Sequence, residues 1–243
     1  MTTQENTPVT SSVFLIDDHP AIRDAIKDAI RDSSSFTIHG GAGTAAEAIE
    51  AIETDPPDIV VLDLSLPDAH GLDLVRLIQT RQPSVEILVF SMYDETVYAE
   101  RALQAGARGY LMKSEPISDL LEALNTVQRK CIYLSSVMLR RLLSGTQSKT
   151  ALEPDPVDSL TDRELEVYQL IGEGYTVSDI ENHLNVSRGA VDKYRRRAMK
   201  KLGCNSVREL LRRAVLWVHE QGTRKKSMSP TMAQEPVDSV GSF

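Results

Sequence analysis

Four short apolar runs end in polar groups of the kinds that handle phosphoryl groups or hard cations. VFLID closes on Asp17 and is followed at once by Asp18, IVVLD closes on Asp63, EILVFS on Ser91 and GYLMK on Lys113. If the runs are parallel strands of one sheet, their carboxyl ends share an edge, and that edge is where sites form in such sheets. Three carboxylates there would supply enough oxygen ligands for a hard divalent cation such as Mg2+, with waters completing the shell. The ion would shield charge while a phosphoryl group passes to one carboxylate acting as nucleophile. Lys113 would neutralise a further phosphoryl oxygen, and the Ser91 hydroxyl would hydrogen-bond another. Asp63 is the expected nucleophile, because it ends the central strand and the loop LSLPDAHG follows it. Taken singly, an Asp after a strand is ordinarily a turn starter or a helix cap. It is the set of groups at matching strand ends that points to a site.

A second chemistry sits near the other end of the chain. Between Arg188 and Lys201 there are seven basic residues (Arg188, Lys193, Arg195, Arg196, Arg197, Lys200, Lys201) and one acid, Asp192. At helical spacing Val191, Tyr194, Ala198 and Leu202 share one face, and Lys193, Arg196, Arg197 and Lys200 occupy much of the rest. A tight turn, Asn185-Val186-Ser187, comes just before. An apolar back and a basic front after such a turn is the arrangement of a recognition helix that enters the major groove. Arg188, Lys193, Arg196, Arg197 and Lys200 are candidates for phosphate or groove contact. Asp192 could accept a hydrogen bond from cytosine N4 or pair with Arg188 or Arg196 in its own helix; the pairing is favoured.

The elements that must position these groups are legible as alternating patterns. Five apolar runs (13–17, 36–40, 59–63, 86–91 and 109–113) are mostly too continuous in apolarity for strands with one wet face. Amphipathic stretches lie between them, such as Ile22, Ile26, Ala29 and Ile30, then Ala45, Ala48, Ile49 and Ile52. Five strands alternating with five helices predict a doubly wound parallel sheet over residues 11–129. A helical extension and a Pro-bearing polar linker follow over 130–156, and an all-α unit of four short helices over 157–219. Thr161 with Glu164 forms a capping box, Thr176 or Ser178 opens the second of these helices, and Ser187 caps the third. Residues 220–243 carry no apolar period and are expected to be a disordered tail.

Charge divides the same way. Residues 1–129 carry 21 acids and 9 bases, a net of −12, whereas 157–222 carry 10 acids and 11 bases. Such asymmetry suggests different partners for the two parts. The two cysteines, Cys131 and Cys204, exclude a disulfide framework and a zinc site and fit a reducing cytoplasm. No apolar run approaches the ~20 residues of a membrane span. His19 and His70 flank the acidic groups and are expected at the rim of the site.

At these residues a family resemblance is plain. Residues 1–128, with IDDHP, VLDLSLPDAHG, FSMYDE and AGARGYLMKS in register, resemble a response-regulator receiver domain, a flavodoxin-like fold. The resemblance implies that a sensor histidine kinase phosphorylates Asp63. It also implies that Asp17, Asp18, Asp63 and the Ser65 backbone carbonyl hold Mg2+, that Lys113 contacts the phosphoryl group, and that Ser91 and Tyr110 form a switch pair. The family has a cis peptide before the position of Ser114, commonly a proline; serine or an acidic residue there is common in the subfamily with this output domain. The segment from Ser159 to Val218 resembles a LuxR-type (NarL/FixJ-like) helix-turn-helix domain through Leu160, Thr161, Arg163, Glu164, Glu166, Val167, Gly174, Ile180, Leu184, Val186, Ser187, Val191, Lys201, Leu202 and Leu210. Together the two imply a cytoplasmic transcription regulator that binds double-stranded DNA and dimerises on phosphorylation. A competing class, the Mg2+-dependent phosphohydrolases that pass through an aspartyl-phosphate, needs a second Asp two residues after the nucleophile, and Ser65 stands there.

Overall fold

The computed structural model describes residues 10–147 and 156–228. Five strands, β1 (Ser11–Ile16), β2 (Phe36–Ala42), β3 (Ile59–Leu62), β4 (Glu86–Ser91) and β5 (Gly109–Met112), form one parallel sheet in the order β2-β1-β3-β4-β5. Strands β3, β4 and β5 are buried along their whole length, as continuous apolar runs require when helices cover both faces. Edge strand β2 instead alternates between exposed and partly buried positions between its buried ends, Phe36 and Ala42. Helices α1 (Pro20–Arg31) and α5 (Ile117–Gln128) cover one face, packing Ile26, Ile30, Leu120 and Leu124 on Leu15, Val61 and Leu88. Helices α2 (Ala45–Thr54), α3 (Gly71–Arg81) and α4 (Glu95–Ala105) cover the other, where Ile52, Val75, Ile78 and Ala102 meet Ile16, Leu62 and Val89.

Strand order reverses between β1 and β3, so the helices leave these strands on opposite sides and open a crevice at their carboxyl ends. Register places the site there. Ile16 pairs with Leu62 and Leu62 with Val89, so Asp17 and Asp63 lie level just beyond the last paired residues. The Asp63 amide donates to the Ile16 carbonyl at 2.8 Å, and the Lys113 amide to the Ser91 carbonyl at 2.8 Å.

The loop after Asp63 folds back on α3 through a close approach that only glycine permits. A Cβ on Gly71 would lie 2.4 Å from Leu64 Cα and 2.7 Å from the Leu64 carbonyl oxygen, both backbone atoms that cannot swing aside. Gly71→Ala is therefore expected to destabilise the receiver by about 1–3 kcal/mol, the usual cost of overpacking. Urea unfolding monitored by circular dichroism checks this, and an unchanged midpoint would contradict it.

After α6 (Ser136–Gln147) and a 3-10 turn (Pro156–Ser159), the second unit consists of α7 (Asp162–Gly172), α8 (Val177–Leu184), α9 (Arg188–Lys201) and α10 (Val207–Met228). Its ends are set by side chains. Glu164 accepts from the Thr161 amide at 2.9 Å, Asp179 from the Thr176 amide at 2.9 Å, and Ser187 Oγ from the Ala190 amide at 3.3 Å. Asn185 closes α8 in the left-handed conformation, with φ of 48°, a conformation asparagine tolerates well. Val167, Leu170, Ile180, Leu184 and Val191 form the core beneath the α8–α9 turn.

Two expectations need correction. Helix α10 runs on to Met228, past residue 219 where the apolar pattern stops. Extending an existing helix costs far less than starting one, and Gln221, Arg224, Lys225 and Lys226 are good helix formers. The rest of the expected tail, 229–243, and linker residues 148–155 lie outside the described residues. No cis peptide occurs among the described residues, so the bond before Ser114 is trans; without proline the cis form costs about 3 kcal/mol. No helix among the described residues is long and apolar enough to cross a membrane.

Candidate functional site

The carboxyl edge of the sheet brings Asp17, Asp63, Ser91, Tyr110 and Lys113 into one pocket. Asp17 and Asp63 are each 3% exposed, and Ser91 and Tyr110 are fully buried. The Lys113 ammonium bridges the two carboxylates, 2.7 Å from Asp17 Oδ2 and 2.6 Å from Asp63 Oδ2. Asp63 Oδ1 is buried and accepts no hydrogen bond. Burial raises the Asp63 carboxyl above its usual pKa, against the pull of the Lys113 ammonium and the Ser91 hydroxyl. For Lys113, burial alone would lower the pKa, but the Asp63 and Asp17 carboxylates outweigh it and hold the ammonium above its ordinary value. The pocket thus contains two buried carboxylates, one ammonium and an acceptor oxygen with nothing to accept.

Asp18 lies at the mouth. It is exposed and 2.6 Å from His19 Nδ1, while the His19 amide donates to Asp17 Oδ1 at 2.9 Å. The Asp17, Asp18 and His19 ligand atoms lie within 4.8 Å of one another, close enough to share an ion. Asp63 falls outside that group, because the Lys113 ammonium stands between it and Asp17. Of the expected ligand set, Asp17 and Asp18 are together, Asp63 is across the ammonium, and Ser65 is in the loop that follows. The hard oxygen donors and the unsatisfied Asp63 Oδ1 fit a divalent cation.

The Tyr110 hydroxyl donates to the Tyr93 carbonyl at 2.9 Å, and the Tyr93 amide donates to Ser91 Oγ at 3.4 Å. Tyr110 therefore points inward. His19 sits at the rim, as expected. His70 does not: it is 3% exposed and faces the second unit, with Nε2 3.6 Å from Glu166 Oε2. Burial lowers His70 to about 4 and raises Glu166 to about 7.

That contact belongs to a docking surface that periodicity could not reveal. Asp162, at the start of α7, accepts from Arg76 of α3 at 2.7 Å and from Arg101 of α4 at 2.9 Å. Arg101 also donates to the Leu160 carbonyl at 2.9 Å, and the Tyr98 hydroxyl to Gln169 Oε1 at 3.0 Å. One apolar cluster runs from Leu66, Tyr98 and Ala102 through Leu160, Leu165 and Tyr168 to Trp217. No sequence signal marked it: Glu164 of α7 is held by Thr161 and Lys201 of its own unit, and the buried Glu166 meets His70.

The basic helix is turned outward. Arg188, Lys193, Arg196, Arg197 and Lys200 are exposed on α9, while Val191, Ala198 and Leu202 are buried and Tyr194 is half-buried. The Asp192 carboxylate pairs with Arg195 at 2.9 Å, not with Arg188 or Arg196; Arg196 Nε donates instead to the Asp192 backbone carbonyl at 3.2 Å. The i,i+3 partner wins because the Arg195 side chain lies partly buried beside it. Lys201 is drawn off the front as well, 2.6 Å from Glu164 of α7.

Comparison with known proteins joins these two sites. Residues 13–125 match the response regulator receiver domain family, and residues 158–214 the luxR family of bacterial regulatory proteins. The nitrate/nitrite response regulator protein NarL of Escherichia coli (strain K12) is 31% identical over 211 residues, covering 87% of this chain and 96% of NarL. Among solved structures, the RcsB response regulator of Salmonella typhimurium shares the fold with a TM-score of 0.64 at 24% identity, covering 86% of this chain and 98% of that one. A structure of two RcsB dimers bound to two parallel DNAs matches with a TM-score of 0.52 at 26% identity, covering 84% and 97%. The chain belongs to the two-component response regulators that join a receiver to a LuxR-type helix-turn-helix, an architecture of phosphorylation-regulated, DNA-binding transcription regulators.

Proposed function

We propose that Asp63 accepts a phosphoryl group from a sensor histidine kinase and that its occupancy controls duplex-DNA binding by α9, the protein acting in the cytoplasm as a dimer when phosphorylated. An Asp63 carboxylate oxygen attacks phosphorus, and the bond from phosphorus to the donor breaks, its electron pair leaving with the donor. Lys113, already paired with Asp63, neutralises a phosphoryl oxygen, and the Ser91 hydroxyl donates to another. Asp17, Asp18, Asp63 and the Ser65 carbonyl would hold Mg2+, which supplies charge neutralisation when bound. Tyr110 follows Ser91 as the second switch residue. On α9, Arg188, Lys193, Arg196, Arg197 and Lys200 contact phosphates or groove edges, and Asp192 serves to brace Arg195.

The observation that supports this reading most is the buried, unsatisfied Asp63 Oδ1 beside Lys113 at the carboxyl edge of the sheet. The likeness to RcsB dimers on DNA supports the dimer and the duplex as partners. Incubation with Mg2+ and a small acyl-phosphate donor is expected to place one phosphoryl group per chain and to tighten duplex binding. Repeated turnover of phosphate esters, or labelling with no change in DNA affinity at any salt concentration, would refute it.

A further inference from the structure

The loop that follows Asp63 is pinned at its base and again at its tip. At the base the Gly71 amide donates to the Leu64 carbonyl at 3.2 Å, and Ser65 forms an antiparallel bridge with His70. The tip reaches a different element altogether. The two Asp68 carboxylate oxygens accept from the Ala45 and Ala46 amides of α2, at 2.8 and 3.0 Å. Amides of a helix's first turn have no acceptor within their own helix. The Thr44 hydroxyl takes the next of them, from Glu47, at 3.3 Å. A carboxylate also complements the positive end of the helix. Asp68 lies 23 and 22 residues from the amides it binds, so it ties two separate segments together where a local cap would tie one.

We propose that Asp68 is a positioning residue for the cation site, setting the spacing between the two halves of its ligand set by tying the loop tip to α2. Asp17 and Asp18 form one half, and Asp63 with the Ser65 carbonyl forms the other. The Asp17 amide donates to the Ala42 carbonyl at the end of β2, at 3.1 Å, which fixes the first half to that strand. The second half is fixed through Asp68 to Ala45 and Ala46. Only Gly43 and Thr44 separate the two attachment points in sequence. Without Asp68 the loop hangs from its base, and Ser65 is free to move relative to Asp17. Groups that hold the ligands of an ion in place, without touching the ion, are typically worth about 10–100-fold in metal affinity. Asp68 is exposed, so its truncation opens no cavity. The inference rests on the reading of Asp17, Asp18, Asp63 and Ser65 as the cation site.

The test is a Mn2+ titration of the full-length protein, read by water proton relaxation with no phosphodonor present. Asp68→Ala is expected to weaken Mn2+ binding about tenfold. It should raise by a similar factor the metal concentration that half-saturates labelling of Asp63 by a small acyl phosphate, with the rate at saturating metal little changed. Asp68→Asn keeps one acceptor oxygen and is expected to fall between. Thr44→Ala supplies the contrast: it removes a cap bond from the same helix and should lower the melting temperature, but it leaves the loop tip tied and the Mn2+ affinity as in wild type. Asp68→Ala with wild-type affinity, Thr44→Ala weakened as much as Asp68→Ala, or a loss confined to the saturating rate would each overturn the positioning role. A wild type that binds no Mn2+ overturns it together with the cation reading. One that binds Mn2+ yet takes no label defeats the phosphoacceptor reading instead, and the titration still decides the role of Asp68.

Discussion

Asp63→Asn should reduce phosphoryl labelling from a small acyl-phosphate donor to background while leaving the fold intact. A carboxamide has no anionic oxygen to attack phosphorus, so the nucleophile is lost outright. Stability should hold or rise, because burial already disfavours the ionised form of Asp63 and the amide oxygen can still accept from Lys113, which keeps Asp17 as its charged partner. Truncation to alanine would be a poorer test, since it leaves a buried ammonium short of a partner. The measurement is mass spectrometry of intact protein after donor treatment, alongside a thermal melt. One phosphoryl group per chain on a well-folded Asp63→Asn would remove residue 63 from its role, and Asp17 or Asp18 would then have to be tested in turn.

The second large effect lies on α9. Lys193→Ala combined with Arg197→Ala should weaken duplex binding by roughly 10–100-fold at physiological salt and flatten the salt dependence by about two in slope, as expected for two lost phosphate contacts. Both side chains are exposed, and no ion pair involving them occurs among the described residues, so the fold should not register the change. Labelling of Asp63 should be untouched. Fluorescence anisotropy with a labelled duplex across a salt series reads both quantities, and an unchanged slope would mean the basic face meets something other than nucleic acid. Arg195 makes the useful contrast: tied to Asp192 and only partly exposed, it should matter less than either neighbour.

What the sequence disclosed and what it withheld divide along a physical line. Strand ends, helix faces and caps are local, and each rests on a few neighbouring residues. The order of apolar runs therefore brought Asp17, Asp63, Ser91 and Lys113 to one edge, and Ser187 and Asn185 marked the turn before α9. Docking is not local. Asp162 meets Arg76 and Arg101 across sequence separations of 86 and 61 residues, and nothing in the periodicity of α3, α4 or α7 records such a meeting. His70 looked like a rim residue because the surface that buries it belongs to the other unit. Asp192 takes Arg195, which is partly buried beside it, over Arg188 or Arg196, and helical spacing does not record that burial. The far end of α10 was missed because helix propagation needs no apolar face.

The His70–Glu166 contact has a further consequence for how the two units meet. Away from the interface, near pH 5.5, the histidine would be protonated and the glutamate ionised. At the interface burial pushes the first below its ordinary value of 6.5 and the second above its ordinary 4.5. Closing at that pH hands a proton from imidazole to carboxylate, and almost none is exchanged with solvent. The signs then follow: the lowered histidine opposes closure as acidity increases below its ordinary range, and the raised glutamate opposes it as acidity falls through its own. The two drifts run against each other and nearly offset, so closure should vary only a few-fold across the cellular range. Two ionisable groups sealed in one seam thus cancel much of each other's response to acidity.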